Sequence, residues 1–118
     1  MINPDKFIQI IKKNKVNLIT GVPDSLLKNL TNRIDKKFKN HFISTNEGSA
    51  IAFAIGHYLS TKRPALVYLQ NSGLGNIINP ITSLAHPKVY GIPIFLVIGW
   101  RGEIKNFKQI NDEPQHKK

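Results

Sequence analysis

The sequence contains no cysteine, few acidic residues and no long apolar run. Without cysteine there is no disulfide and no thiolate metal ligand, which fits a cytoplasmic protein. No apolar stretch approaches the roughly 20 residues of a transmembrane helix. The N-terminal "MINPDKFIQI" lacks the charged and long apolar segments of a secretion signal. What is present is a chain of 118 residues, enough for one modest domain around a single core.

The charge is strongly one-sided, with 17 Lys and Arg against 7 Asp and Glu and a formal net charge of +10. The lysines are scattered over the polar faces and ends of predicted helices, and Ile and Asn are also abundant, as in proteins from AT-rich genomes. We therefore interpret the charge as compositional and predict neither a nucleic acid nor a membrane partner. An acidic partner surface and nucleic acid remain as alternatives.

Apolar periodicity predicts helices alternating with short strands. Asn3 and Pro4 give a start signal for the first helix, and Pro80 should kink the fourth helix or delay its start. The predicted helices are 4–13, 26–38, 46–60 and 75–85, and the predicted strands are 16–22, 41–45, 65–70 and 92–100. The last strand lacks alternation, which indicates burial on both faces. The order predicts an α/β domain whose parallel sheet has helices on both faces.

All four predicted strands end in polar, glycine-containing segments. These are "TGVPDS", "STNEGS", "LQNSGLGN" and "GWRGE". The carboxyl ends of parallel strands share one edge of the sheet, and ligands bind beyond that edge in α/β proteins. The sequence therefore predicts a site there.

Taken one at a time, the polar residues allow ordinary interpretations. Asp24 suits a helix N-cap, and Glu47 suits the first turn of the helix that Asn46 caps. Gly73-x-Gly75 is half of a phosphate-binding pattern without its lysine or third glycine. Arg101 could hold an anion or simply end its strand. The three histidines before the C-terminal segment lack metal-ligand spacing, so we predict structural roles for them and no metal site; they are His41, His57 and His86.

In combination the motifs are far more specific. "TGVPDSLLK", "TNEGSAIAFAIGHYL", "VYLQNSGLGNIINPITSL", "IPIFLVIGWRGE" and "DEPQH" follow one another in this order. This series closely resembles the N-terminal, pyrimidine-binding region of phosphonopyruvate decarboxylases and of the sulfopyruvate decarboxylase alpha subunit, which are thiamine-diphosphate-dependent enzymes. The resemblance runs from about Phe7 to His116. It implies an α/β domain with a six-stranded parallel sheet.

The resemblance also implies roles for residues. Glu47 matches the glutamate that hydrogen-bonds N1′ of the aminopyrimidine and favours the imino tautomer, which can accept the thiazolium proton. Three residues match polar groups that face the substrate, and with Glu47 they form the expected catalytic set: Asp24, Asp112 and His116. The expected cofactor-binding residues are Glu47, Gln70, Asn71, Ser72 and Gly73. On this interpretation the glycine loop lets the backbone approach the pyrimidine, the substrate or a partner domain, and does not hold phosphate.

Two family features have no counterpart in the sequence. Four strands are predicted where the family has six, and no Gly-Asp-Gly followed by an Asn metal ligand occurs. We therefore expect residues 1–118 to form a single domain truncated at its C-terminus, with thiamine diphosphate and magnesium held partly by a diphosphate-binding domain or subunit absent from this chain. The other expected partners are a small 2-oxo acid substrate and further copies in an oligomer.

Three functions remain open at this point. The chain is a component of a decarboxylase acting on phosphonopyruvate or sulfopyruvate, an inactive truncated homologue, or a basic module for nucleic acid or an acidic protein. A stripe of small residues on the third helix, Gly48, Ala52 and Gly56, further predicts close packing against another subunit.

Overall fold

The computed structural model describes residues 3–102, and these form a four-stranded parallel sheet with helices on both faces, as predicted. The strand order is β2-β1-β3-β4, so β1 and β3 are central. In chain order the elements are α1 (Pro4–Lys13), β1 (Leu18–Gly21), α2 (Lys28–Lys37), β2 (His41–Ile43), α3 (Glu47–Thr61), β3 (Ala65–Gln70), the single turn α4 (Ile78–Pro80) and β4 (Ile94–Gly99).

Two apolar cores lie on opposite sides of the sheet, and β3 contributes to both. Ala65, Val67 and Leu69 pack beneath α3 on one side. Leu66 and Tyr68 pack beneath α1 and α2 on the other. Residues 65–69 are therefore buried throughout, because successive side chains of a strand point to opposite faces.

The helices α1 and α3 begin at the predicted caps. Asn3 Oδ1 accepts from the Lys6 backbone N–H at 3.1 Å, with Pro4 at the first helical position. Asn46 Oδ1 accepts from the Ser49 N–H at 2.8 Å. These side chains satisfy backbone donors that a helix N-terminus leaves unpaired. The Asn46 cap fixes the point at which α3 leaves the sheet edge, and so the position of Glu47.

The segment after β3 is less regular than the predicted fourth helix. A 3₁₀ segment covers Asn71–Ile77, α4 follows, and a π-helical segment covers Ile81–Ala85. Proline has no N–H to donate, so Pro80 prevents a continuous α-helical ladder across this region. The bend brings the Asn76 carbonyl so near α3 that a Cβ on Gly48 would lie 3.1 Å from it.

The prediction that the last strand is buried on both faces is wrong within the described residues. There β4 pairs only with β3, and Phe95 and Leu96 are 39% and 37% exposed. A continuous apolar run does not distinguish a central strand from the outermost one.

Gly21 provides a test of the packing at the centre of the sheet. A Cβ there would lie 2.7 Å from Tyr68 Cγ and closer still to the Tyr68 carbonyl oxygen. Neither atom can move easily, because Tyr68 is only 1% exposed and belongs to the central strand. Gly21→Ala is therefore expected to lower the free energy of unfolding by about 3 kcal/mol, measured by urea denaturation.

The matched control is Gly56→Ala in the middle of α3. No described atom lies within 4 Å of a Cβ at this exposed position. Replacing a helical glycine by alanine should raise the unfolding free energy by about 0.5–1 kcal/mol. Unchanged stability in Gly21→Ala would contradict the packing described here.

Candidate active site

The polar segments that follow the strands do meet at one edge of the sheet. Gly21 and Tyr68 are register partners, and so are Gln70 and Gly99 at the ends of β3 and β4. The connections after β1, β3 and β4 therefore start side by side. Residues far apart in the chain form two groups there, one around Glu47 and one around Asp24.

Glu47 is the first residue of α3 and is half-buried at the sheet edge. Its Oε2 accepts a hydrogen bond of 2.8 Å from the Asn76 side-chain amide. Its position in the first helical turn also favours a negative charge, because the N-terminal end of a helix is the positive end of its dipole. The Glu47 carboxylate is thus oriented by the Asn76 amide and stabilised by the N-terminal end of α3.

Gly73 gives Glu47 the room it occupies. A Cβ on Gly73 would lie 2.6 Å from Glu47 Cδ and 2.7 Å from Glu47 Cγ, inside van der Waals contact. At Gly75, apart from the residue itself and its two chain neighbours, no atom of residues 3–102 would lie within 4 Å of the same added carbon. The predicted reason for the glycines was approach of a ligand or partner. For Gly73 the structure supplies a nearer reason, the side chain of Glu47.

Asp24 does not cap a helix, which corrects the simplest interpretation of its sequence position. A 3₁₀ turn, Ser25–Leu27, follows it before α2, and its side chain makes no capping hydrogen bond. Instead Asp24 Oδ1 accepts from Arg101 Nε at 3.1 Å and lies 3.0 Å from Arg101 Nη2. Arg101 therefore holds an anion, and that anion is Asp24. The guanidinium also contacts the Ser25 hydroxyl.

The second oxygen of Asp24 is the unusual atom of the group. Asp24 is 6% exposed, and its buried Oδ2 has no hydrogen-bond partner within residues 3–102. It lies over Gly99, where a Cβ would be 2.9 Å from Asp24 Cγ. A buried acceptor without a partner is costly. Such an oxygen in a native protein calls for an explanation, and a catalytic role or a bound water or ion is among those known.

The amide-rich loop, residues 70–73, lies between the two groups, and its side chains form hydrogen bonds within the loop and to the segment after β4. Asn71 donates through Nδ2 to the Arg101 carbonyl at 2.9 Å and accepts from the Arg101 N–H at 3.3 Å. Gln70 Nε2 donates to the Ser72 hydroxyl at 2.8 Å. Asn71 thus ties the end of β3 to the segment after β4. The consecutive residues 71–73 connect the Asp24 group to the Glu47 group.

A row of hydrogen-bonded polar side chains, which was not predicted from the sequence, lies beside Asp24. A cavity of about 320 Å³ extends from Asp24 and Ser25 to Asp35, His41 and Tyr68. The two ring nitrogens of His41 contact the Asp35 carboxylate and, at 2.9 Å, the Tyr68 hydroxyl. Burial, and secondly the negative charge of Asp35, raises the pKa of Tyr68 to about 12. Tyr68 therefore stays protonated at neutral pH and can donate to His41.

The two remaining predicted catalytic residues, Asp112 and His116, lie outside the described residues. Among residues 3–102, no three His, Asp or Glu side chains come close enough together to hold a metal ion. Within the same range, no helix is both long and apolar enough to cross a membrane. Asn76 and Arg101 support the two carboxylates. The sequence allowed Arg101 to hold an anion without identifying Asp24 as that anion, and it did not single out Asn76.

The family model for the thiamine pyrophosphate enzyme N-terminal TPP-binding domain matches residues 4–116. Sulfopyruvate decarboxylase subunit alpha of Methanococcus maripaludis is 44% identical over 91 residues, which cover 76% of this chain and 53% of that protein. Phosphonopyruvate decarboxylase of Streptomyces hygroscopicus is 40% identical over 102 residues, which cover 86% of this chain and 24% of that protein. The chain thus spans about half the length of the first relative and a quarter of the second.

A solved structure supports the fold independently. Benzoylformate decarboxylase from Polynucleobacter necessarius superimposes with a TM-score of 0.73 at 21% identity, over 94% of this chain and 20% of that one. At this identity the likeness establishes the architecture alone.

Proposed function

The chain belongs to the thiamine pyrophosphate enzymes, matching their N-terminal TPP-binding domain, and on that premise we propose that it forms the pyrimidine-binding side of a decarboxylase active site. The observation that carries the proposal is the setting of Glu47. Its carboxylate is half-buried at the sheet edge where the polar strand ends meet, oriented by Asn76 and given space by Gly73. A carboxyl group in such a setting can share a proton with a ring nitrogen.

The donor set fits the aminopyrimidine end of thiamine diphosphate. When bound, the cofactor supplies the electron sink that a 2-oxo acid needs to lose its carboxyl group. Glu47 would hold the pyrimidine by exchanging a proton with N1′. Gln70, Asn71, Ser72 and Gly73 would line the same crevice. The hydrogen bonds of Gln70 to Ser72 and of Asn71 to the Arg101 carbonyl would keep the crevice in one shape.

The proposed substrate is 3-phosphonopyruvate, converted to phosphonoacetaldehyde and CO₂, or its 3-sulfo analogue. Relatives named for each reaction match at 40% and 44% identity, so the proposal covers both substrates. Asp24 is proposed to face the substrate on the strength of its motif; in this structure its Oδ2 is buried and has no hydrogen-bond partner in the described range. Asp112 and His116 are proposed for the same role on the strength of the motif alone.

The remaining cofactor groups require another domain. We propose that the diphosphate and magnesium are held by a diphosphate-binding domain or subunit, because the 118-residue sequence has no Gly-Asp-Gly motif. Contact between subunits is proposed along the outer face of α3, at Ala52 and Gly56 of the predicted stripe, whereas Gly48 packs against the Asn76 carbonyl of this chain. Ala52, Phe53 and Gly56 line an open cavity of about 420 Å³ there, and Phe53 is 53% exposed. The proposed location is the cytoplasm.

A reconstitution experiment tests this division of the site. The 118-residue chain alone is expected to bind thiamine diphosphate and magnesium weakly, because the pyrimidine ring offers few contacts against the several kcal/mol that association costs. It should release no CO₂ from phosphonopyruvate or sulfopyruvate. Adding a separately expressed diphosphate-binding subunit of this family should restore both binding, measured by calorimetry, and aldehyde formation, measured by a coupled assay.

The outcomes separate the alternatives. Robust decarboxylation by the 118-residue chain alone would contradict the proposed division. A complex that forms in sedimentation and binds cofactor, but turns over neither substrate, would favour an inactive homologue. Turnover of only one substrate would decide between the phosphono and sulfo assignments.

A further inference from the structure

A basic cleft lies at the amino edge of the sheet, opposite the candidate active site. Its volume is about 690 Å³. Six of its eleven lining residues are Lys or Arg, against 17 of 118 in the whole sequence. None of those eleven residues is Asp or Glu. The six cationic residues, called here the amino-edge cluster, are Lys12, Lys15, Lys37, Lys39, Lys62 and Arg63.

Helix ends account for only half of this cluster. Lys12 and Lys37 occupy the last turns of α1 and α2, and Lys62 caps α3. Cations are favoured there because helix C-termini carry partial negative charge. The other three, Lys15, Lys39 and Arg63, lie beyond the helix ends, in the connections that lead into β1, β2 and β3. The dipole effect falls off outside the last turn, so it does not explain these.

Two members of the cluster occupy backbone positions that favour glycine. Lys15 and Lys62 have φ values of 61° and 60°, in the left-handed region. Helices commonly end in this conformation, and glycine is the usual residue because it has no Cβ to strain. Lysine stands at both positions, and both line the cleft.

The balance of charge in the cleft is strongly positive. Three helix C-termini contribute about half a negative charge each, which leaves an excess of roughly four positive charges from the six side chains. Arg63 of this cluster also affects a nearby histidine, His57. Burial, and secondly the positive charge of Arg63, lowers the pKa of His57 below its usual value. His57 Nε2 donates to Asn17 Oδ1 at 2.7 Å, which connects this histidine to the lining of the cleft.

We propose that the amino-edge cluster binds a chain of phosphoryl groups, either inorganic polyphosphate or the polyphosphate tail of a nucleotide. Five of the six cations are lysines, which bind phosphoryl oxygens as compact point charges. Several separate positive charges lining one cleft complement the repeated negative charges of a phosphoryl chain. Asn17, Asn40 and Thr61 add neutral donors to the lining.

The cleft is poorly suited to nucleic acid bases and is separate from the candidate active site. The one aromatic ring among its lining residues, Phe38, already has the Lys12 ammonium 5.1 Å from its centroid, so stacking on that face is blocked. The six-residue strand β3 separates the cleft from the opposite edge by about 20 Å. The cleft is therefore a second site, and its ligand is independent of the proposed decarboxylase function.

Calorimetry on the full chain tests the proposal with tripolyphosphate and with ATP. Lys15→Gly combined with Lys39→Gln is expected to weaken tripolyphosphate binding on the order of 10-fold, since two exposed charges are lost. Its thermal midpoint should not fall, because Lys15→Gly relieves a left-handed residue. The matched control, Lys6→Gln with Lys88→Gln, removes the same charge from exposed positions outside the cleft and should leave affinity within about 2-fold.

A titration of His57 by NMR gives a second readout. Bound tripolyphosphate should raise the pKa of His57, because it neutralises the charge of Arg63. Equal affinities for ATP and tripolyphosphate would identify the phosphoryl chain itself as the ligand, and tighter ATP binding would identify a nucleotide tail. Equal weakening by both double variants, an unshifted His57, or tighter binding of hexaglutamate or a DNA duplex at the same salt concentration would overturn the proposal.

Discussion

Replacing Glu47 with glutamine in the complete enzyme is expected to lower turnover by about 10² to 10⁴-fold and to leave the fold intact. Glutamine keeps the size and shape of the side chain and can still accept the hydrogen bond from Asn76. It cannot share a proton with a ring nitrogen. The variant therefore separates the proposed acid–base role of Glu47 from its packing against Gly73.

The measurement is steady-state turnover beside the free energy of unfolding. Asp5→Asn is a matched control, because it also changes an acid to its amide in the first turn of a helix. Asp5 pairs with Arg33 at 2.9 Å on the surface, where such a bond is worth at most about 1 kcal/mol. Full activity is expected in Asp5→Asn. Nearly full activity in Glu47→Gln would remove Glu47 from the mechanism.

The sheet, and the edge at which its polar strand ends meet, could be predicted because both follow from short-range patterns. Alternating elements with short connections favour a parallel sheet, and its topology then collects the strand ends at one edge. Glu47 and Asn71 were placed at that edge without any knowledge of contacts. Their roles came from the order of motifs, and those roles remain proposals.

Local sequence could not predict contacts between residues that are distant in the chain. Asp24 and Arg101 are separated by 77 positions, and Asp24 at a strand-to-helix turn is equally typical of a cap. Gly73 makes room for a side chain 26 positions earlier in the chain. Both partnerships depend on how the strands are ordered, which no window of sequence contains.

Local sequence also could not show that the positive charges cluster in space. Lysines looked scattered because the amino-edge cluster is drawn from the C-terminal ends of three helices and from the connections that follow them. Parallel topology brings those connections together just as it brings the strand ends together at the opposite edge. An excess of lysine in the composition therefore becomes a concentration of positive charge at the amino edge of the sheet, whatever its origin in the genome.

The contact between Gly73 and Glu47 leads to the second large effect. Gly73→Ala in the complete enzyme is expected to lower turnover by about 10²-fold, because displacing a catalytic group by about 1 Å can cost that much. Stability should change little. The atoms in the way belong to the outer part of a flexible side chain, which can rotate away without disturbing the core.

Gly75→Ala is the matched control, two residues further along the same 3₁₀ segment, with no described atom within 4 Å of the added carbon. It should keep full activity. If Gly73→Ala acts through Glu47, adding it to Glu47→Gln should cost little more, since the carboxylate it displaces is already gone. Equal losses in both glycine variants, or fully additive losses in the double variant, would mean that a ligand or partner chain approaches this loop directly. Glu47 would then not be the reason for glycine at position 73.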